Sequence, residues 1–270
     1  MVAAGVVEPL RDARILLGYS LAMPNERFYG RETSIINFTQ LNRYKKMIER
    51  RCIREPVSRI LGHRDFWDLT FRLNPCALDP RPDSETLIEA VLSHITDKHK
   101  PLNILDLGTG TGCLLLSVLH EFPNSKGIGI DINRDCIKLS KRNAIDNGLS
   151  QRAAFQVGDW CRGINTKFDV ILCNPPYIPS ETIKDLEPEV TKYEPHFALD
   201  GGKDGLDCYK KLAPQLLQLL ATDGLIFLEI GFDQKRSVSE IMKNCAFSVL
   251  ATKRDLANID RCVVLSHKHC

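Results

Sequence analysis

Phe168-Asp169-Val170-Ile171-Leu172-Cys173-Asn174-Pro175-Pro176-Tyr177 is the stretch around which the chain is organised. Phe168 to Cys173 is a short apolar run with the length and composition of a buried strand. Two consecutive prolines cannot donate to a ladder, so the strand stops there and the backbone turns rigidly. The turn leaves an Asn side chain and free carbonyls at the carboxyl end of a strand, where open α/β sheets bind ligands. An Asn amide with neighbouring carbonyls can hold a planar NH2 group by its two hydrogens.

Working outward, apolar runs predict further strands at 102–106, 126–131, 153–157 and 224–230, with helical patterns between them at about 112–121, 133–147 and 205–221. Alternation of this kind predicts a parallel sheet covered on both faces. Phe247 to Thr252 and Arg261 to Ser266 are two more apolar strands across a short polar connection. They are expected to pair antiparallel at one edge. Upstream, residues 1 to about 60 show helical spacing in Leu10, Ala13, Ile15, Leu16 and Leu17 and again in Ile35, Ile36, Phe38 and Leu41, with a break at Pro24-Asn25. Arg64 to Leu73 alternates like a strand or hairpin. Asp79-Pro80-Arg81-Pro82 is a rigid extended entry, and Asp83 or Ser84 can cap the helix that follows. The expected organisation is a helical region at 1–62, a β-hairpin linker at 63–82 and an α/β domain at 83–270.

Composition excludes several classes. With 270 residues, 43% hydrophobic and 26% charged, the chain can bury a full core, and a net charge of +2 gives no general affinity for nucleic acid. No stretch approaches a membrane span. The N-terminus mixes Glu8, Arg11, Asp12 and Arg14 and matches neither a signal peptide nor an Arg/Ser-rich transit peptide, so the cytoplasm is the default compartment, with a mitochondrial one left open. Ten cysteines form no CxxC pair, and Cys113, Cys173 and Cys262 sit in apolar runs, which points to free thiols. Seven histidines form no HxxxH or HExxH pair, and no metal site is assigned. No GxSxG or Cys/His arrangement suggests a covalent nucleophile. From Arg43 to Arg64 eight Lys/Arg face two Glu, either a solvated helix surface or a contact for an acidic partner.

The chemistry gathers at the strand ends. Gly108-Thr109-Gly110-Thr111-Gly112 follows one strand and opens a helix, where glycines let a ligand approach the backbone. Asp106 just before this loop can pair with a cationic amino group and would repel a pyrophosphate. Asp131 ends the next strand, a position suited to ribose hydroxyls. Gly158-Asp159-Trp160 ends the third and offers an acid and an aromatic face for an adenine. The plainer reading is a set of strand-to-helix turns with capping acids. Glycines, acids and Asn174 at four successive strand ends fit a nucleoside that carries an amino acid and no phosphate: S-adenosylmethionine. Glu229, at the end of Leu225 to Ile230, either lines the cleft or caps the next loop.

The order GTGTG, Asp131, Asp159-Trp160, NPPY resembles the seven-stranded class I (Rossmann-like) methyltransferases, whose sheet carries an antiparallel last strand. NPPY resembles those that methylate a planar amide or amino nitrogen. More narrowly, Pro80-Arg81-Pro82, Asn174-Pro175-Pro176-Tyr177-Ile178-Pro179 and Glu194-Pro195 through Ala198-Leu199-Asp200-Gly201-Gly202-Lys203-Asp204-Gly205-Leu206-Asp207 resemble the protein-(glutamine-N5) methyltransferases of peptide chain release factors, the PrmC/HemK family. Asp79 and Ser84 depart from the aliphatic residue and the Thr usual there. The resemblance implies methyl transfer to the Gly-Gly-Gln glutamine of class 1 release factors, gripped by the N-terminal region, by a monomer with no nucleic-acid substrate and no membrane.

In that reading Asn174 and the Pro175 carbonyl accept the two amide hydrogens, while Pro176 and Tyr177 complete the turn. Tyr177 packs on the amide or shields it from water. The loop 108–112, Asp106, Asp131, Asp159, Trp160 and Asn174 hold the cofactor. The competing reading is an N6-adenine or N2-guanine methyltransferase acting on DNA or RNA. It is disfavoured by eight acids against three lysines in Ile178 to Asp207, which would repel a phosphate backbone. A nucleoside-binding module without turnover is the non-enzymatic alternative, and an intact NPPY speaks against it.

Overall fold

Near-continuous burial along the central strands of 83–270 builds a single sheet with two hydrophobic faces. The computed structural model describes residues 1–23 and 36–268, so the expected break at Pro24-Asn25 and the apolar Ile35 lie outside the described residues. At the N-terminus, α1 (Pro9–Ser20), α2 (Phe38–Cys52) and α3 (Val57–Leu61) pack around Leu16, Met47 and Ile60. The hairpin expected near 64–73 is β1 (His63–Phe66) against β2 (Leu69–Arg72), antiparallel. Further along come α4 (Glu85–His94), β3 (Asn103–Leu107), α5 (Cys113–Glu121), β4 (Lys126–Asp131), α6 (Arg134–Asp146), β5 (Ala153–Val157), β6 (Phe168–Cys173), the short α7 (Pro188–Thr191), α8 (Asp207–Leu219), β7 (Leu220–Glu229), α9 (Lys235–Asn244), β8 (Phe247–Arg254) and β9 (Asp260–His267).

The strand order is β5-β4-β3-β6-β7-β9-β8. Ile104, Val170, Leu172, Phe227 and Val264 bury one face under α4, α5 and α6, while Leu105, Ile171, Cys173, Ile226, Leu228 and Val263 bury the other under α8 and α9. These are the consecutive in–out positions that a two-sided parallel sheet demands. The antiparallel pairing expected at the edge is present, with a refinement. β9 inserts between β7 and β8, so the antiparallel strand lies one place in from the edge. β7 begins at Leu220, four residues before the expected start, with a register irregularity opposite Phe168 and Val170. Helix α9 was not expected from the sequence.

The chain winds from β3 outward through β4 to β5, then returns to place β6 on the other side of β3. Such a switch point opens a crevice at the carboxyl ends. Register fixes what meets there. Leu107 pairs with both Ile130 and Cys173, and Cys173 with Leu228. The next residue on each strand therefore falls in one row: Asp131, Gly108, Asn174 and Glu229.

The basic stretch of α2 and α3 is divided: Arg43 and Arg50 stay exposed, while Arg51, Arg54 and Arg59 turn to acids of this same chain. Arg51 meets Asp12 at 2.7 Å and Glu189 at 2.9 Å, Arg54 meets Glu187 and Glu189 at 3.0 and 2.6 Å, and Arg59 meets Glu194 at 2.7 Å. Three of the acids downstream of NPPY are thus engaged with the N-terminal helices, which pins this segment over the crevice. Buried pairs of this kind are held by geometry more than by net Coulomb energy. Among the described residues no helix is long and apolar enough to cross a membrane.

Candidate active site

Three left-handed backbones shape the loop after β3: Gly108 at φ +73°, Gly110 at +53° and Gly112 at +85°. Residues with a Cβ rarely adopt that region. The Gly108 and Thr109 amides both donate to the Ile130 carbonyl at 2.9 Å, which folds the loop back over β4. Asp131 then holds it from beside. Its Oδ2 accepts the Gly110 amide at 2.9 Å and its Oδ1 the Asn133 amide at 2.8 Å. Burial pushes its pKa up against those two bonds.

Asp106 lies beneath the loop, 1% exposed. Thr109 Oγ1 donates to its Oδ2 at 2.6 Å, and Oδ1 is buried without a partner. Burial raises its pKa to about 7, opposed by the Thr109 hydrogen bond. Asp159 is half exposed and paired with Lys211 at 2.8 Å. Trp160 carries φ +53°, and its indole stands so close that a Cβ on Gly108 would lie 3.5 Å from Cζ3.

After β6, Asn174 Nδ2 donates to Ser84 Oγ at 3.1 Å. Neither Asn174 Oδ1 nor the Pro175 carbonyl accepts a hydrogen bond from a described residue. Tyr177 points away from the cavity: its hydroxyl donates to Glu229 Oε1 at 3.1 Å, and its carbonyl accepts Gln234 Nε2 at 2.9 Å. Glu229 is raised to about 7, chiefly by burial, with Ser84, Arg261 and Tyr177 opposing. Neither sequence reading of Glu229 holds: it does not line the cavity, and its buried carboxyl faces Tyr177 and caps no loop.

A cavity of about 340 Å³ opens at this row. Gly108, Thr109, Gly110, Thr111, Asp131, Asp159, Trp160, Asn174 and Pro176 line it, as the sequence suggested. Four other expected residues stand behind the wall. Asp106 sits under the loop, Gly112 faces Ser140, Leu116 and Phe155 in the core, Pro175 is buried, and Tyr177 turns to Glu229. Sequence reasoning missed Ile132, Phe197 and the part played by Ser84, all of which line the cavity. Ile132 and Phe197 are 67% and 51% exposed, an unusual placement for large apolar groups that only the fold makes visible. Ser84 sits at the N-cap of α4 but makes no side-chain cap bond, contrary to the capping expectation, because its hydroxyl is turned to Asn174.

The lining holds Asp131, Asp159 and Asp200 against one base, Arg81, which is itself 3.3 Å from Glu194. Such a wall suits a cationic ligand and repels phosphate. An indole, a strand-end acid and a glycine cradle fit a nucleoside with a positively charged side chain. Among the described residues no cluster of His, Cys, Asp or Glu could hold a metal ion, and the nine described cysteines are free.

Comparison with known proteins agrees with this arrangement. Residues 98–253 match the family model of a methyltransferase domain, and residues 2–62 that of a PrmC N-terminal domain. The release factor glutamine methyltransferase of Rhodospirillum rubrum is 44% identical over 261 residues, covering 97% of this chain and 80% of that one. Its counterpart in Caulobacter vibrioides is 40% identical over 265 residues, covering 97% and 90%. Among solved structures, the ribosomal protein L11 methylase of Lactobacillus delbrueckii subsp. bulgaricus is similar with a TM-score of 0.55 at 21% identity, over 74% of this chain and 86% of that one. A likeness of that degree speaks for the fold alone.

Proposed function

The chain belongs to the release factor glutamine methyltransferase family, and from that premise we propose that it transfers the methyl group of S-adenosyl-L-methionine to the side-chain amide nitrogen (N5) of the Gly-Gly-Gln glutamine of a class 1 release factor, modulating translation termination. The observation that carries the reading is Asn174. It ends β6 at the cavity, its Nδ2 is engaged by Ser84, and its Oδ1 is left to accept.

A carboxamide nitrogen is a poor nucleophile because its lone pair is delocalised into the carbonyl. Asn174 Oδ1, at the cavity wall, and the Pro175 carbonyl, whose residue is buried but which no described donor occupies, accept its two N–H bonds, fix the nitrogen and raise its electron density. The same acceptors stabilise the positive charge that develops on nitrogen. Asp131, Trp160 and the loop 108–112 hold the nucleoside, with Asp106 supporting the loop from beneath. When bound, S-adenosylmethionine supplies an electrophilic methyl carbon on a sulfonium, which leaves as a neutral thioether. Holding both reactants in line accounts for on the order of 7 kcal/mol of the barrier. The methylated nitrogen then releases its proton to solvent, so no strong general base is required.

The acids of the lining disfavour a phosphodiester substrate. We read residues 1–62 as the part that grips the release factor, 63–82 as a hairpin linker and 83–270 as the methyltransferase domain, acting as a monomer in the compartment where translation terminates. The test supplies S-adenosylmethionine labelled at the methyl carbon to a release factor, its loop Gln→Ala variant and duplex DNA. Label on the release factor alone is expected, and Asn174→Ala is expected to abolish it with cofactor binding only modestly weakened. Label on DNA, or equal label on the loop variant, would sink the glutamine assignment.

A further inference from the structure

An amide clamp works only if Asn174 presents its oxygen. The two ends of a carboxamide have nearly the same shape, and a flipped Asn174 would set its own NH2 against the substrate NH2. The orientation therefore needs a cause. Ser84 Oγ accepts from Nδ2, but a hydroxyl rotates, and the same Ser84 could equally donate to Oδ1. What decides between the two is where the Ser84 proton goes.

Glu229 answers that. It occupies the next place in the strand-end row after Asn174 and is 1% exposed, while Ser84 is 3% exposed. Tyr177 satisfies Oε1 at 3.1 Å, whereas Oε2 is buried with no hydrogen-bond partner. Ser84 heads the groups that oppose the effect of burial on this carboxyl. Glu229 Oε2 is a buried acceptor with an open lone pair, one place along the strand-end row from the amide that Ser84 holds, and no described donor occupies it, which leaves it available to the Ser84 proton.

We propose that Ser84 and Glu229 are positioning residues for the transfer: Glu229 draws the Ser84 proton, Ser84 thereby stays an acceptor for Asn174 Nδ2, and Asn174 Oδ1 is kept facing the substrate amide. Tyr177 belongs to the same chain, since its hydroxyl holds Glu229 from the other side. The proposal rests on the amide-methyltransferase reading above. It concerns the orientation of one amide and leaves the nucleoside contacts untouched.

The test compares wild type, Ser84→Ala, Ser84→Thr, Glu229→Gln and the Ser84→Ala/Glu229→Gln pair. Each is assayed for kcat and KM with a release factor, and for S-adenosylmethionine affinity through Trp160 fluorescence. Loss of the Ser84 hydroxyl is expected to lower kcat about tenfold or more, the cost of an unfixed buried amide. KM and cofactor affinity should move far less, and Ser84→Thr, which restores the hydroxyl, should restore kcat. Glu229→Gln can offer an N–H to Ser84, turn the hydroxyl around and lower kcat as well. The double variant should then be no worse than the worse single one. An unimpaired kcat in Ser84→Ala, a Ser84→Thr as slow as Ser84→Ala, or additive losses in the pair would overturn the proposal. A wild type that labels no glutamine would instead overturn the reading of the site.

Discussion

Arg59 Nη2 lies 2.7 Å from Glu194 Oε2, a buried ion pair across 135 residues that ties α3 to the segment following the Asn-Pro-Pro-Tyr turn. The Asp79 amide donates to the same carboxylate at 3.1 Å, and Arg81 approaches its other oxygen. One carboxylate thus joins the N-terminal helices, the Pro80-Arg81-Pro82 entry and the roof of the cavity.

Removing one partner of such a pair strands the other. Glu194→Ala is expected to cost about 3 kcal/mol of unfolding free energy in urea denaturation. Arg59→Met/Glu194→Leu should cost less than Glu194→Ala alone, since no guanidinium is then left buried and unpaired. A double variant less stable than the single would show that the pair itself is a net stabiliser.

The strand ends were legible because glycine, proline and acids have local meaning. Gly108, Gly110 and Gly112 do adopt backbones that other residues avoid, and Pro175-Pro176 does end β6. Ser84 was not legible as a partner of Asn174, because only the adjacency of α4's first turn to β6 creates that contact, 90 residues away. The arginines of α2 read as a solvated surface or a contact for an acidic partner and the acids after Tyr177 as a rim that repels phosphate, and nothing local says that the two face one another. Helix α9 escaped notice because Val238 and Met242 are its only fully buried residues amid Lys, Arg and Ser.

Gly205 carries φ +73°, and a Cβ there would sit 2.3 Å from the Tyr177 carbonyl oxygen and 2.6 Å from Gln234 Nε2. Gly205→Ala must therefore shift the turn that carries Asn174. Gly148, at φ +71°, has nothing within 4 Å of its Cβ position, so Gly148→Ala meets only the backbone penalty of about 1 kcal/mol. The expected outcome is a modest loss of stability in Gly148→Ala with full activity, and a collapse of methyl transfer in Gly205→Ala. Equal activities in the two variants would remove the Gly205 contact from the account.

Asp106 and Glu229 both titrate near 7 in the folded protein, raised by burial. The folded state keeps these protons where the unfolded chain has already released them. Stability must therefore fall as pH rises from the ordinary carboxyl range up to about 7, and the effect is complete above that. The decline is at most on the order of 4 kcal/mol from Asp106 and about 3 kcal/mol from Glu229. Asp106→Asn removes one of them, so its urea midpoint relative to wild type should be higher at pH 8 than at pH 5. A difference that is constant across this window would mean that Asp106 is ionised throughout.

Asp131 uses both carboxylate oxygens on backbone amides, Gly110 on one side and Asn133 on the other. Asn at this position has one oxygen and must leave one amide facing its own NH2. The arm that loses its acceptor governs either the glycine loop or the start of α6, and both border the nucleoside cavity. Asp131→Asn also removes a negative charge from a wall that faces a cationic ligand. Together these changes should weaken S-adenosylmethionine binding by about tenfold or more, read by calorimetry or by Trp160 fluorescence. The amide clamp lies on the far side of Gly108 in the strand-end row, and its Ser84 contact does not pass through Asp131. At saturating cofactor, kcat should accordingly stay within about threefold of wild type, the behaviour of a group that binds substrate and transition state alike. Unchanged affinity together with a lost kcat would instead place Asp131 with the reacting amide and break the division of the row into a nucleoside half and an amide half.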